Sequence, residues 1–383
     1  MPINVGIIGY GSSTKNYHIP FIASIPAYNI TAVLQRAAAP AAENISTAQP
    51  GSHCTVDLPG IRHYRTPDEF FADKGTEIVV VATHLDTHAL FAEGALLAGK
   101  HVVVDKPFAR STKEADKVIA LAREKGLVLT CYQNRRWDGD FQTLHHLYNE
   151  NALGKIAESE IHYDWENPSW LGHLAEKKYT AGHGHMLTLG SHTIDQALTL
   201  FGRPSAVTAF LRNQRGIESE VEDSYTIILQ YSGNQDKKNL LVTIKSIIIS
   251  PLRKQLKIFV RGTEGSYIKW QATSTCPQES QIFTGSHPLD PGFGTEPPEL
   301  RGELATYKLF DANTQTYNEQ SKKYIGLYPT ITGRWLGFWE NVAGVVRGRG
   351  ELAVDMGTVR DGLRVIELAR MSNEQGITIG WSD

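Results

Sequence analysis

An acid, a lysine and a proline close an apolar run, His101-Val102-Val103-Val104-Asp105-Lys106-Pro107. Three β-branched residues in succession predict a buried parallel strand. Ligands of open α/β sheets sit beyond the carboxyl ends of the strands. Lys106 therefore stands where an ammonium could reach a bound substrate, and Pro107 ends the strand. The competing use of such a residue is a solvated loop lysine. A second group of reactive types lies in Gly182-His183-Gly184 and Gly190-Ser191-His192-Thr193-Ile194-Asp195. His192 suits proton exchange with a hydroxyl, because imidazole ordinarily titrates near neutrality. The alternative is a satisfied histidine at a helix start. His183, His185 and His192 lack a cysteine or a spaced set of carboxylates beside them, so no metal site is expected.

A third motif, Gly9-Tyr10-Gly11-Ser12-Ser13-Thr14, follows the first apolar run. Gly9 and Gly11 suit a tight turn and a backbone close to a pyrophosphate, with helix-start amides facing the anion. Thr14 stands where the fingerprint usually has its third glycine. Ser12, Ser13 and Thr14 offer hydroxyl donors to phosphate. The second strand ends in Gln35-Arg36, without the acid that bonds a ribose 2′-hydroxyl in NAD sites. Arg36 is suited to pair with a 2′-phosphate, so the expected cofactor is NADP (NADPH) rather than NAD. Thr83, His84 and His88 border the strand before Lys106, and together with Asp105, Pro107 and Asn134 they complete the expected cofactor-binding set.

The elements that must hold these groups alternate. Strands are predicted at Ile3–Gly9, Ile30–Gln35, Ile61–Tyr64, Ile78–Ala82, His101–Asp105 and Leu127–Cys131. Helices open at two capping boxes, Thr66-Pro67-Asp68-Glu69 and Ser111-Thr112-Lys113-Glu114. Residues 37–59 read as an irregular insertion. This alternation implies right-handed crossovers and a parallel sheet. It stops near residue 135. Long strands then dominate from Ile156 to Gln271 and predict a substantial antiparallel sheet. Residues 272–330 read as loop-rich, and a last helix is predicted over about 357–373.

The 383 residues suggest two domains, taken as 1–133 and 134–383, with the final helix a candidate to pack back on the first. A net charge of −3 gives no electrostatic case for nucleic acid or an anionic membrane surface. No apolar run reaches the ~20 residues of a membrane helix. There is no signal-peptide pattern. Three scattered cysteines, Cys54, Cys131 and Cys276, without Cys-x-x-Cys spacing, give no thiolate zinc motif and fit a reducing compartment, and a cytoplasmic location is expected.

The order and spacing of Gly9-Tyr10-Gly11, Asp105-Lys106-Pro107 and the Gly182–Asp195 segment resemble the glucose–fructose oxidoreductase/inositol dehydrogenase/MocA family. Asn134-Arg135-Arg136-Trp137-Asp138 is similar to a polyol-active or uncharacterised subgroup. The resemblance implies an α/β protein: an N-terminal Rossmann domain, then a C-terminal α/β domain with a large, mostly antiparallel sheet through which members form dimers or tetramers. It implies hydride transfer between a nicotinamide and a sugar, polyol or related small carbonyl compound. Lys106 matches the family's lysine and His192 its histidine, the two catalytic candidates. Asp105 replaces the usual glutamate. Thr188 replaces the aspartate one helical turn before the histidine, where a carboxylate could orient the imidazole. Asn134, Arg135, Trp165 and Thr188 are the further substrate-side candidates. Arg135 suits a structural ion pair equally well, and Trp165, with Asn167 and Trp170, suits either a pocket wall or a core. The family also contains a fungal galactose-pathway corepressor, so a non-catalytic NADP-binding co-regulator is the rival reading.

Overall fold

The computed structural model describes residues 1–168, 176–233, 237–271 and 276–382. Trp170 lies outside the described residues. By packing, the chain divides into two compact units. The first holds residues 1–134, 282–291 and 335–360. The second holds 135–281, 292–334 and 361–383. The first therefore takes in two segments from beyond residue 134. The last helix begins in it, but most of that helix belongs to the second unit.

The first unit is built on six parallel strands: β1 (Ile3–Ile8), β2 (Tyr28–Leu34), β3 (Arg62–Tyr64), β4 (Ile78–Val81), β5 (His101–Val104) and β6 (Leu129–Cys131). Their spatial order is β3-β2-β1-β4-β5-β6, with the chain reversing direction of travel at the β1/β4 edge. Central strands pair on both sides and are covered on both faces, which explains their unbroken valine and isoleucine content. Every side chain of β4 is buried. The capping boxes form as their sequences require. Thr66 accepts from Glu69 N at the start of α1 (Pro67–Ala72) and its hydroxyl donates to the Glu69 carboxylate at 2.8 Å. The helix α2 (His88–Leu97) connects β4 to β5. Ser111 caps α3 (Thr112–Lys125), which ends on Gly126 at φ +64°.

The second unit carries ten strands: β7 (Ile156–His162), β8 (Ala206–Arg212), β9 (Ser224–Gln230), β10 (Leu241–Ile247), β11 (Gln255–Gly262), β12 (Gly265–Gln271), β13 (Gly302–Thr306), β14 (Thr316–Asn318), β15 (Lys323–Tyr328) and β16 (Ile379–Gly380). The order is β14-β15-β13-β12-β11-β7-β10-β9-β8-β16. Among the described residues only β7 and β10 of this sheet pair in parallel, so the sheet is mixed and mostly antiparallel. The helices α4 (Gly139–Asn149) and α5 (Ser191–Phe201) belong to this unit.

The described part of residues 272–330 is rich in loops, as its composition predicts, and also holds β13, β14 and β15, which extend the sheet; short strands between Pro and Gly carry too little periodicity to read. Neither α4 nor a further helix, α6 (Leu336–Val346), has a capping box to announce it in the sequence; the last helix is α7 (Met356–Gln375). Among the described residues, no helix is long and apolar enough to cross a membrane.

Candidate functional site

The glycine loop leaves β1 and turns at Gly9, whose φ is +98°. A methyl group there would meet the Ala82 carbonyl oxygen at 2.3 Å, so only glycine lets β1 and β4 end this close together. Gly11 differs. A methyl group on it would meet nothing within 4 Å, because it faces an open cleft. That cleft has a volume of about 690 Å³. It runs from Gly9, Gly11, Ser12 and Ser13, past Thr83 and His84 at the end of β4, to Gln35 and Arg36 at the end of β2. These eight sequence-predicted residues line one continuous surface. Tyr10, Asp86, Thr87 and Phe91 line it too, and no sequence signal marked them. The open face at Gly11 and the cleft's position at the strand ends fit a dinucleotide, with pyrophosphate at the loop and adenosine ribose at Gln35-Arg36.

Arg36 is exposed, and its carbonyl accepts from Arg65 Nε at 3.1 Å, so a second guanidinium-bearing residue is anchored to the same strand end. Gln35 is held inward. Its Oε1 accepts from Cys54 N at 2.9 Å, and its carbonyl faces His63 Nε2 at 2.8 Å.

Two predicted cofactor residues have other work. Thr14 is fully buried, and its hydroxyl donates to Gly9 O at 2.9 Å, closing the loop on itself rather than reaching out. His88 is buried, with Nδ1 2.8 Å from Pro107 O and Nε2 3.0 Å from Thr83 O. It ties the ends of β4 and β5 together and is not part of the cleft surface. Both corrections share a cause: polar residues next to a strand end are first recruited by unpaired backbone groups.

Asp105 sits at the centre of the unit's chemistry. Its Oδ1 accepts from Lys106 N at 2.7 Å, and its Oδ2 accepts from the Ser13 hydroxyl. His18 Nε2 lies 3.4 Å from the same Oδ2. Burial by itself would raise this carboxyl's pKa. The contact with His18, the Ser13 bond and the Lys106 charge outweigh it and hold the group well below the usual carboxylate range. One carboxylate therefore joins the glycine loop to the lysine turn. Lys106 is half-buried and the Lys106–Pro107 peptide is cis. His18, invisible to the motif reading, is fully buried and packs on Tyr132, the rings tilted by 45° with centroids 4.6 Å apart. Asn134 is buried at the end of this unit.

In the second unit, residues Met186–Gly190 form a single wide π turn that runs directly into α5. Such turns are enriched at functional sites. The glycine loop has its own at Thr14–His18. His192 is buried in the first turn of α5, its ring 6.3 Å from that of Tyr163. Thr188 donates to Gly184 O at 3.0 Å. Arg135 is buried between Glu279 at 2.8 Å and Asp138 at 3.3 Å, which is the ion-pair alternative of its two sequence readings. Arg136 grips Asp195 through two bonds of 2.7 Å. Trp165 is half-buried, with its amide on Ile247 O and its ring 6.2 Å from Tyr163. Sequence reasoning missed Tyr163 and Lys257. Lys257 is buried with its ammonium 4.1 Å from the Tyr163 ring centroid and 3.9 Å from Asp140. A cation lying on an aromatic face in the interior leaves no periodic trace in sequence.

A parallel six-stranded sheet with a glycine loop at its β1/β4 switch point, joined in one chain to a large mixed sheet, defines a dinucleotide-dependent oxidoreductase. Residues 3–133 match the model of the oxidoreductase family with an NAD-binding Rossmann fold, and residues 141–268 match the GFO/IDH/MocA C-terminal domain. The chain belongs to this Gfo/Idh/MocA family of oxidoreductases. It is 35% identical over 381 residues to an uncharacterised oxidoreductase of Schizosaccharomyces pombe, covering 99% of both chains. It is 30% identical over 377 residues to the scyllo-inositol 2-dehydrogenase (NADP(+)) IolW of Bacillus subtilis, covering 98% of this chain and 95% of that one. An oxidoreductase from Bacillus cereus has a crystal structure matching with a TM-score of 0.83 at 26% identity, over 100% of this chain and 99% of that one.

Proposed function

We propose that this protein is an NADP-dependent oxidoreductase that transfers a hydride between the nicotinamide and a secondary alcohol of a sugar or polyol, or the matching carbonyl. The observation that carries the reading is the Ser13–Asp105–Lys106 connection, which fixes a lysine turn to the phosphate-binding loop. The nicotinamide, when bound, supplies the hydride chemistry. The protein's part is electrostatic and protonic. Lys106 stabilises the negative charge that develops on the substrate oxygen. His192 gives or takes the hydroxyl proton. Asp105 is a positioning residue for Lys106.

The preference for NADP rests on the absence of a carboxylate at the end of β2 and on Arg36 and Arg65 there. The NADP(+)-dependent scyllo-inositol dehydrogenase among its relatives supports both cofactor and substrate class. We expect Arg36→Ala to weaken NADPH binding about tenfold, the equivalent of ~1.4 kcal/mol, and to leave NADH binding nearly unchanged in fluorescence titrations. Equal losses for both dinucleotides would remove Arg36 from the discrimination.

The test of the activity itself is nicotinamide absorbance against a panel of inositols, other polyols, aldoses and ketoses. Turnover with a polyol or sugar supports the enzyme. Thr188, whose hydroxyl is spent on a backbone carbonyl, favours a second reading, a cofactor-binding co-regulator without turnover. Tight NADPH binding with no turnover across the panel selects it. Exposed Phe210, Leu241, Trp270 and Leu327, all on strands of the large sheet, support assembly as a homodimer or tetramer through that sheet. Light scattering in solution measures it. Cys54, Cys131 and Cys276 are buried thiols, in keeping with a cytoplasmic setting.

A further inference from the structure

Beneath the ribose end of the cleft, the insertion between β2 and β3 brings together His53, Cys54 and His63. One ligand atom from each of the three lies within 4.8 Å of the other two. His53 and Cys54 are buried and His63 is half-buried. We propose that these three side chains form a binding site for a single zinc-class metal ion, with water as the fourth ligand.

The geometry supports this through the protons. His63 Nε2 faces the Gln35 carbonyl at 2.8 Å, and His53 Nε2 faces the Ala37 carbonyl at 3.3 Å. A carbonyl oxygen can only accept, so each ring carries its proton on Nε2. Each Nδ1 is then left with a lone pair. His53 Nδ1 shows it directly by accepting from Thr55 N at 3.2 Å. Fixing the tautomer of a ligating histidine with a backbone carbonyl on its far nitrogen is how protein metal sites orient imidazole. Cys54 Sγ lies 3.9 Å from His53 Nδ1. Tetrahedral zinc holds a thiolate sulfur and an imidazole nitrogen about 3.5 Å apart. Closing the site therefore needs a shift of a few tenths of an ångström for that pair. The ion takes the place of both the Thr55 N–H, at 3.2 Å, and the Thr55 hydroxyl, at 2.9 Å, on His53 Nδ1, and displaces the thiol proton to solvent. Two nitrogens and one sulfur suit borderline and soft ions, and exclude magnesium and calcium.

The consequence is local and structural. The two carbonyls that orient the imidazoles flank Arg36, and Cys54 N holds the Gln35 side chain. The same insertion reaches the glycine loop, where Tyr10 donates to Asp57 at 2.5 Å and Lys15 to Gly51 O at 3.0 Å. An ion here fastens the insertion to the strand end that borders the cleft.

The experiment is titration of the metal-free, full-length protein with Co²⁺. We expect one ion per chain, with a near-ultraviolet thiolate-to-cobalt band. The band disappears in Cys54→Ser, survives in Cys131→Ser, and its cobalt ligand-field bands collapse in His63→Gln. Zn²⁺ bleaches the cobalt spectrum and raises the melting temperature of wild type by several degrees. Absence of a thiolate band in wild type, or its persistence in Cys54→Ser, overturns the proposal. Should Cys54→Ser fail to fold, X-ray absorption of the wild-type zinc complex decides. One sulfur with two imidazole nitrogens supports the site, and a first shell of oxygen and nitrogen alone overturns it.

Discussion

At the scale of single residues, Lys106 carries the strongest expectation. It was visible in sequence because a strand of valines ends in a charge, and buried strands seldom do so without cause. Lys106→Ala should leave NADPH affinity near wild type and lower turnover by roughly 10²–10³-fold, the usual worth of one group that stabilises a developing oxyanion. Steady-state kinetics with separate fluorescence titration checks this; undiminished turnover excludes Lys106 from the chemistry. What the sequence concealed was the support behind it. Asp105 reads as a neighbour of Lys106, but its bond to Ser13 and its contact with His18 cross 92 and 87 positions of chain. Contacts of that kind have no periodicity. Thr14 and His88 show the opposite error, since each has the right type in the right segment and turns out to serve backbone carbonyls.

Elements were legible where a local rule decides them. The Ser111 and Thr66 caps and the strand before Gly9 each follow from four to seven adjacent residues. The two π turns do not, because an extra residue in a helical turn depends on what the turn packs against. The glycine loop offers a paired test of element geometry. Gly9→Ala places a methyl group 2.3 Å from the Ala82 carbonyl at a positive φ and should cost at least about 1–3 kcal/mol of stability. Gly11→Ala adds a methyl group to open cleft. It should leave the melting temperature within a degree or two and abolish NADPH binding. Equal effects of the two changes on stability would refute this division of labour. The π turn at Met186–Gly190 offers a test in pH. It starts after His185, whose ring is buried against Ser246 at 2.6 Å. Burial lowers this imidazole's pKa to about 4, from an ordinary 6.5. The folded chain then binds fewer protons than the unfolded one between those values. The stability it contributes is complete above about pH 6.5 and is lost as pH falls toward 4, roughly 3 kcal/mol in all. Urea unfolding at pH 7, 5.5 and 4.5 should show wild type losing roughly 2 kcal/mol more than His185→Asn, because pH 4.5 stops short of the folded value. Parallel slopes would refute it.

At the scale of the whole molecule, reading the chain from left to right places one boundary near residue 134, where strands and helices cease to alternate. The first unit is not complete there. It recruits residues 335–360, and the recruitment is specific. Trp335 and Trp339 are fully buried. Trp339 packs against Tyr132 at 5.7 Å and edge-on to His18 at 5.9 Å, and its carbonyl accepts from the Tyr28 hydroxyl at 2.6 Å. Thr130, on β6, donates to Val354 O at 2.8 Å. Such a return is not legible in sequence, because the hydrophobic face of α6 states only that something covers it. The energetic consequence is large. Losing one buried tryptophan side chain costs about 3–5 kcal/mol, and domain stabilities total only about 5–15 kcal/mol. A fragment of residues 1–134 should therefore fail to fold cooperatively and should not bind NADPH, although it contains the entire glycine loop. Joining residues 335–360 to it through a flexible linker should restore a cooperative thermal transition and dinucleotide binding. Circular dichroism melts and NADPH fluorescence of the two fragments measure this directly. A stable, NADPH-binding 1–134 fragment would show that the returning helix is dispensable and that the boundary near 134 is the physical one.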